Sequence, residues 1–240
     1  MVIFAFDFSI NKPAATVWRK GKDKRMFENP TFLTWPLSLT KREEGIFNEM
    51  MYSDNGGFLF MNRNLTTISK ASNLTSSEMA LEHTKRSANL ADIILRDLES
   101  LTGDDPGPYY FVSEGLSFGS KGNSALDLAT YKGVLMAEVW KHFKDIKIYT
   151  YAPTTIKSIA GCATKDKAGD KHAMINAFIE DTRESTNVFA EFLRDGVLSY
   201  EKRKGKAKGA VEYIHCVDDI VDSYFAFKTL VKKEGVIDDC

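Results

Sequence analysis

Cysteine is scarce in this chain. Cys162, Cys216 and Cys240 are an odd set with no CxxC pair, which argues against both a disulfide framework and a structural zinc site and fits a reducing intracellular compartment. Excess charge of either sign is missing as well. A formal net charge of −1 over 240 residues excludes a histone-like polycation, so any contact with nucleic acid has to come from local basic patches. No stretch approaches the ~18 apolar residues of a membrane span. The opening MVIFAFDF has no basic leader and its apolar run is broken by Asp7, so neither export nor membrane insertion is expected. The sequons at Asn64 and Asn73 then read as chance matches. There is no internal repeat and no low-complexity segment. The length suits a single α/β domain spanning 1–240, with extra material at about 19–73 and 181–214.

What is present is an alternation of strand and helix signals. Val2 to Phe8 is β-rich and apolar, and beyond the polar NKPAA turn Thr16-Val17-Trp18 completes a hairpin. From Arg19 to about Asn73 the pattern is weaker and suggests extra strands and loops, with Phe58 to Met61 strand-like. Ser76 or Ser77 can cap a helix running through Leu98 to Thr102-Gly103. DDPGP is a turn, and Tyr109 to Val112 is a short strand delivering Glu114 at its end. Ser124 opens a helix that ends near His142, and Ile146 to Tyr151 is another strand. Pro153 begins a short helix, and Lys171 leads a further one. Asn187 to Leu198 reads as a helix, EKRKGKAKGA as a basic mobile loop, and Asp218 to Leu230 as the last helix. This order specifies an α/β fold with a mixed sheet.

Four acids stand beside residues that look buried: Asp7 in VIFAFDFS, Glu114 in YYFVSEGLSFG, and Asp219 and Asp222 in CVDDIVDSYFAF. Buried carboxylates are costly unless paired or bound to a cation. The residues before Asp7 leave no solvent face, so that strand should be buried on both sides. A strand-end Asp or a turn Glu is often only structural, and Asp218 and Asp219 suit a helix first turn, where the macrodipole favours acids. Helix capping does not explain Asp222, which lies three residues beyond Asp219 and hence on the same face. Two parallel strands ending in Asp7 and Glu114 at one sheet edge, with this DxxD helix, would meet the demands of magnesium: hard oxygen ligands and open positions for water and phosphate. Two such ions about 4 Å apart can drive phosphodiester hydrolysis.

The same segments resemble the RuvC-type Holliday junction resolvases of the RNase H-like nuclease superfamily. FAFDFSINKPAATV is similar to that family's first strand, acid and hairpin. SEGLSFGSKGNSALDLATYKGV resembles its second acidic segment, and YAPTTIKSIAGCATKDKAGDKHAMINAF its lysine-bearing third. DDIVDSYFAF resembles the last segment, closest to the mitochondrial and poxviral branches. The resemblance implies an RNase H-like mixed β-sheet flanked by α-helices. It makes Asp7, Glu114, Asp219 and Asp222 the ligands of two magnesium ions, or of manganese in their place, with Asp222 also orienting or deprotonating water. Lys157 and Lys171 would lie beside the scissile phosphate. Lys165 and Lys167 compete for the role of Lys171, and Asp218 leaves a one-residue ambiguity beside Asp219.

Branched DNA is the implied substrate, cut by paired symmetric nicks. Phe118, in the Gly-rich loop past Glu114, could wedge against an unstacked base, although a loop aromatic can equally fold onto the core. Lys202, Arg203 and Lys204 open a basic run that offers a second DNA contact or, as readily, a solvated loop. Two nicks across a four-way junction imply a two-fold homodimer, for which the helix from Ser124 to His142 is the candidate interface through Leu128, Tyr131, Leu135 and Val139. The competing readings are a nuclease for flaps, forks or RNA-DNA hybrids, and a non-catalytic DNA-binding scaffold.

Overall fold

A computed structural model describes residues 1–20, 30–54, 56–61, 75–115, 123–163, 171–202 and 208–237. Its centre is a six-stranded mixed sheet built on β1 (Val2–Asp7). β1 pairs antiparallel with β2 (Ala14–Arg19), which pairs antiparallel with β3 (Thr31–Thr34), and β3 lies parallel to β4 (Phe58–Phe60). On its other edge β1 runs parallel to β5 (Tyr109–Glu114), which runs parallel to β6 (Lys147–Tyr151). The spatial order is therefore β4-β3-β2-β1-β5-β6. This is an α/β fold with a mixed sheet flanked by α-helices, as the sequence led us to expect.

Seven described helices accompany it: α1 (Lys41–Met51), α2 (Ser76–Thr102), α3 (Asn123–His142), α4 (Pro153–Ile159), α5 (Lys171–Asp181), α6 (Val188–Arg194) and α7 (Val217–Glu234). Side chains alternate across a strand, and β1 divides accordingly. Val2, Phe4 and Phe6 pack with Leu90, Ile94, Tyr131, Leu135 and Val139 of α2 and α3. Ile3 and Ala5 pack with Phe178 of α5, Phe189 of α6 and Ile220, Tyr224 and Phe227 of α7. Each of the large apolar side chains buried here contributes about 1.5–3 kcal/mol relative to exposure. A buried hydrogen bond of 2.8 Å between Thr16 Oγ1 on β2 and Ser223 Oγ on α7 fixes how that helix sits on the sheet.

Several local expectations need correction. The cap of α2 is Thr75, not Ser76 or Ser77: its hydroxyl accepts from the Glu78 amide while Glu78 bonds back to the Thr75 amide. The 19–73 stretch holds a helix as well as strands, since Thr40 and Glu43 form the same reciprocal cap on α1. The helix expected over Asn187–Leu198 ends at Arg194, ahead of Gly196 at φ +73°. The segment taken as a basic loop is bounded by two short antiparallel strands, β7 (Ser199–Glu201) and β8 (Val211–Tyr213). Among the described residues no helix is long and apolar enough to cross a membrane.

Candidate active site

The parity that sends Ile3 and Ala5 toward α7 also sends Asp7 there, and on β5 the series Tyr110, Val112, Glu114 faces the same side. Because β1 and β5 are parallel with Phe6 opposite Ser113, both strands deliver their acids at one sheet edge. The first turns of α7 cross that edge. Asp7 and Asp219 lie at hydrogen-bonding range, and Asp222 and Glu114 are near enough to raise the Asp7 pKa further. The four acids singled out in the sequence thus come together.

Burial and mutual repulsion dominate their electrostatics. Burial, then Asp219, Asp222 and Glu114, push the Asp7 carboxyl well above the usual range. Asp222 is raised to about 7 by burial and by Glu114, Asp219 and Asp218. Asp219 is raised by burial and Asp218 against the pull of Lys12. Glu114 is raised by burial, with Lys157 and Lys132 opposing. Asp218 is the exception. Burial works against its charge, yet Lys12 and Lys171 hold it down to about 2.

Lys157 on α4 and Lys171 at the start of α5 line, with Asp218 and Asp222, a cavity of about 140 Å³ beside the acids. Lys171 donates to Asp218 Oδ2. Lys202 is placed differently: its ammonium lies 2.7 Å from Glu212 across the β7–β8 pair, in a separate cleft with Arg42, Tyr200 and Lys208. Phe118, Lys165, Lys167, Arg203 and Lys204 lie outside the described residues. Tyr131, Leu135 and Val139, assigned to a subunit interface, are instead buried in the chain's own core against α2, with Leu128 packed at its margin. Among the described residues of α3, Trp140, 65% exposed, is a large apolar side chain presented outward.

Two lysines at the site escaped notice in the sequence. Lys12, in the β1–β2 turn, places its ammonium 2.7 Å from both Asp218 Oδ1 and Asp219 Oδ2. Lys132, buried in α3, donates to the main-chain oxygen of Glu114, and its own pKa is lowered by burial, partly offset by Glu114 and Asp7. Nothing local distinguishes Lys12 from an ordinary turn lysine. Lys132 did carry a signal: it falls between Leu128 and Leu135 on the face that helical spacing buries.

The donor set suits a hard divalent cation, being all carboxylate oxygen. Asp219 Oδ2 is buried and accepts no well-aligned hydrogen bond, even with Lys12 alongside. Among the described residues no three His, Cys or carboxylate groups already converge as a ready-made ligand set, so binding would require side-chain rotation and displacement of the Lys12 ammonium from Asp219.

No protein-family model and no curated protein matches the chain. Among solved structures it is similar to a Thermus thermophilus RuvC structure, with TM-score 0.46 and 10% identity over 97% of this chain and 96% of that one. A T. thermophilus RuvC in complex with Holliday junction substrate gives TM-score 0.46 and 8% identity over the same shares, 97% and 96%. Likeness at this level bears on neither substrate nor mechanism, which rest on the residues of the site.

Proposed function

We propose that this chain is a metal-dependent, structure-selective endodeoxyribonuclease that resolves Holliday junctions or related branched DNA by paired symmetric nicks. The observation that carries the reading is the meeting of Asp7, Glu114, Asp219 and Asp222 at one sheet edge, where burial and mutual repulsion raise them, flanked by Lys157 and Lys171. The ordered resemblance of the four sequence segments to RuvC-type resolvases supplies the choice of substrate.

In this reading the four acids hold a pair of magnesium ions, or manganese in their place. When bound, such ions supply an activated water and stabilisation of the leaving 3′ oxygen. The chain's own groups do the rest. Asp222, facing the cavity between α4, α5 and α7, orients the attacking water. Lys157 and Lys171 bind the scissile phosphate and offset charge that grows during cleavage. Phe118 is assigned to the unstacked bases at the branch point, and Lys165, Lys167, Lys202, Arg203 and Lys204 to the flanking backbone. Two nicks require two sites, hence a homodimer. If α3 forms its interface, the outward side that carries Trp140 must make the contact, because Tyr131, Leu135 and Val139 are engaged inside the chain.

The test is cleavage of a mobile four-way junction, a flap, an RNA-DNA hybrid and linear duplex in magnesium. Mirrored nicks in the junction, with linear duplex left intact, are expected. Cleavage of flap or hybrid with the junction untouched would overturn the substrate; metal-dependent cleavage of none would overturn the nuclease. Lys171→Ala should slow junction cleavage by roughly 10–100-fold and change junction affinity less than about threefold, because a single exposed phosphate contact adds little to binding.

A further inference from the structure

Asp218 and Asp219 are neighbours at the start of α7, and adjacent helical residues point about 100° apart. Only one of them can face Asp7, and that one is Asp219. Asp218 points to a different set of groups. Its Oδ1 is 2.7 Å from Lys12 Nζ, and its Oδ2 accepts from Lys171 Nζ. Three distant segments, the β1–β2 turn, the head of α5 and the head of α7, therefore meet on one carboxylate. Lys12 continues the chain of contacts to Asp219 Oδ2 at 2.7 Å.

We propose that Asp218 is not one of the metal-holding acids but the anchor of a lysine–aspartate–lysine bridge that positions Lys171 and Lys12 at the site. This assignment rests on the nuclease reading above, and it resolves which members of the DDxxD run do what. Asp218 carries an ammonium on each oxygen, so a cation would have to displace both lysines to use it, whereas at Asp219 it need displace only Lys12. Asp219 meets one lysine, on Oδ2 alone, and repulsion from Glu114, Asp219 and Asp218 outweighs the pull of Lys157 at Asp222.

The bridge also explains how Lys171 is held. Its side chain is 72% exposed and flexible, and a freely rotating lysine would sample the site only part of the time. Asp218, only 22% exposed, gives it a fixed partner. Lys12, 29% exposed and rooted in a turn where its amide bonds to Ser9 Oγ at 3.0 Å, performs a second service: it occupies the space between Asp218 and Asp219 with positive charge. Asp218 is thus a positioning residue, acting through two lysines.

The test compares Asp218→Asn, Asp219→Asn, Lys12→Met and the double variant Asp218→Asn/Lys12→Met. The wild-type melting temperature should rise as magnesium is titrated. Asp219→Asn should lose that rise. Asp218→Asn should keep it, with the half-maximal magnesium concentration within about twofold of wild type, while single-turnover junction cleavage slows on the order of tenfold and junction affinity changes less than about threefold. Loss of the magnesium response in Asp218→Asn would make it a ligand and overturn the proposal.

The bridge itself is read from melting of the metal-free proteins. The double variant should be displaced by less than the sum of the two single displacements, because both single variants remove the Lys12–Asp218 contact while each also removes one of its own; fully additive displacements would overturn the bridge. If wild type neither responds to magnesium nor cuts any DNA, the nuclease reading fails, and the double-variant comparison still decides whether the bridge exists.

Discussion

At the amino ends of β1 and β5, the Asp105 side chain is 7% exposed and well partnered: Arg19 Nε lies 3.0 Å from its Oδ2, and the Gly107 amide donates to its Oδ1 at 2.9 Å. Those contacts overcome burial and hold its pKa below the usual carboxylate range. At the carboxyl ends of the same two strands, Asp7 and Glu114 meet Asp219 and Asp222, and all four are raised. One strand pair therefore carries acids of two kinds. The first stabilises the fold as it stands. In the second, burial and repulsion work against the charged form, an environment that is common at functional sites.

Exchanging acid for amide at each end should separate the two. Asp7→Asn should reduce junction cleavage by on the order of 10³-fold, with junction binding retained. The same change should stabilise the metal-free protein by about 1 kcal/mol, roughly 2–4 °C in melting temperature for a chain of this size, because it removes a repelling charge. Asp105→Asn should do the reverse: cleavage at saturating DNA stays within about twofold, while stability falls by about 2 kcal/mol, less than the about 3–5 kcal/mol of a fully buried pair since Arg19 is 33% exposed. Equal and same-signed stability changes at the two ends would break the comparison.

Glu43 extends the compensated class. It caps α1 with Thr40, accepts from the His215 amide at 3.0 Å, and its pKa is lowered by these contacts acting against burial. A depressed acid contributes stability that is present above its ordinary value of 4.5 and is lost as pH falls through its folded pKa. Glu43→Gln should therefore cost about 1 kcal/mol near neutral pH and flatten the acid side of the stability profile, as read by urea melts between pH 3 and pH 7. The smallest effect belongs to the exposed pair Lys141 and Glu138 on α3, 2.7 Å apart: Lys141→Ala should change stability by less than about 0.5 kcal/mol.

The sheet edge was legible in the sequence because its signal is local. A run of residues buried on both faces and ending in an acid defines β1 and β5, and period-two alternation alone sends Asp7 and Glu114 to one side. The three-residue spacing of Asp219 and Asp222 does the same on α7. Short or weakly patterned elements were not legible. In α1 the apolar face, Ile46, Phe47, Met50 and Met51, is confined to the second half of an 11-residue helix, so its clearest start signal was the Thr40/Glu43 cap. β7 and β8 have three residues each, too few to alternate detectably. On α6, Val197 and Leu198 continue the apolar pattern past the true end at Arg194. Least legible were Lys12 and the division of labour between Asp218 and Asp219, because the partners of Lys12 lie 206 residues away and beyond and no local pattern encodes a contact at that separation.

On the proposed reading, the two strand ends differ in that a divalent cation completes the acid cluster at one of them. Thermal melting of wild type and Asp7→Asn across a magnesium titration measures this directly. Wild type should start lower and gain as magnesium is added, by about 2.7 kcal/mol at one hundred times the dissociation constant, while Asp7→Asn should start higher and stay level. A wild-type protein indifferent to magnesium, or an Asp7→Asn protein that melts lower than wild type without metal and gains as much with it, would contradict the account.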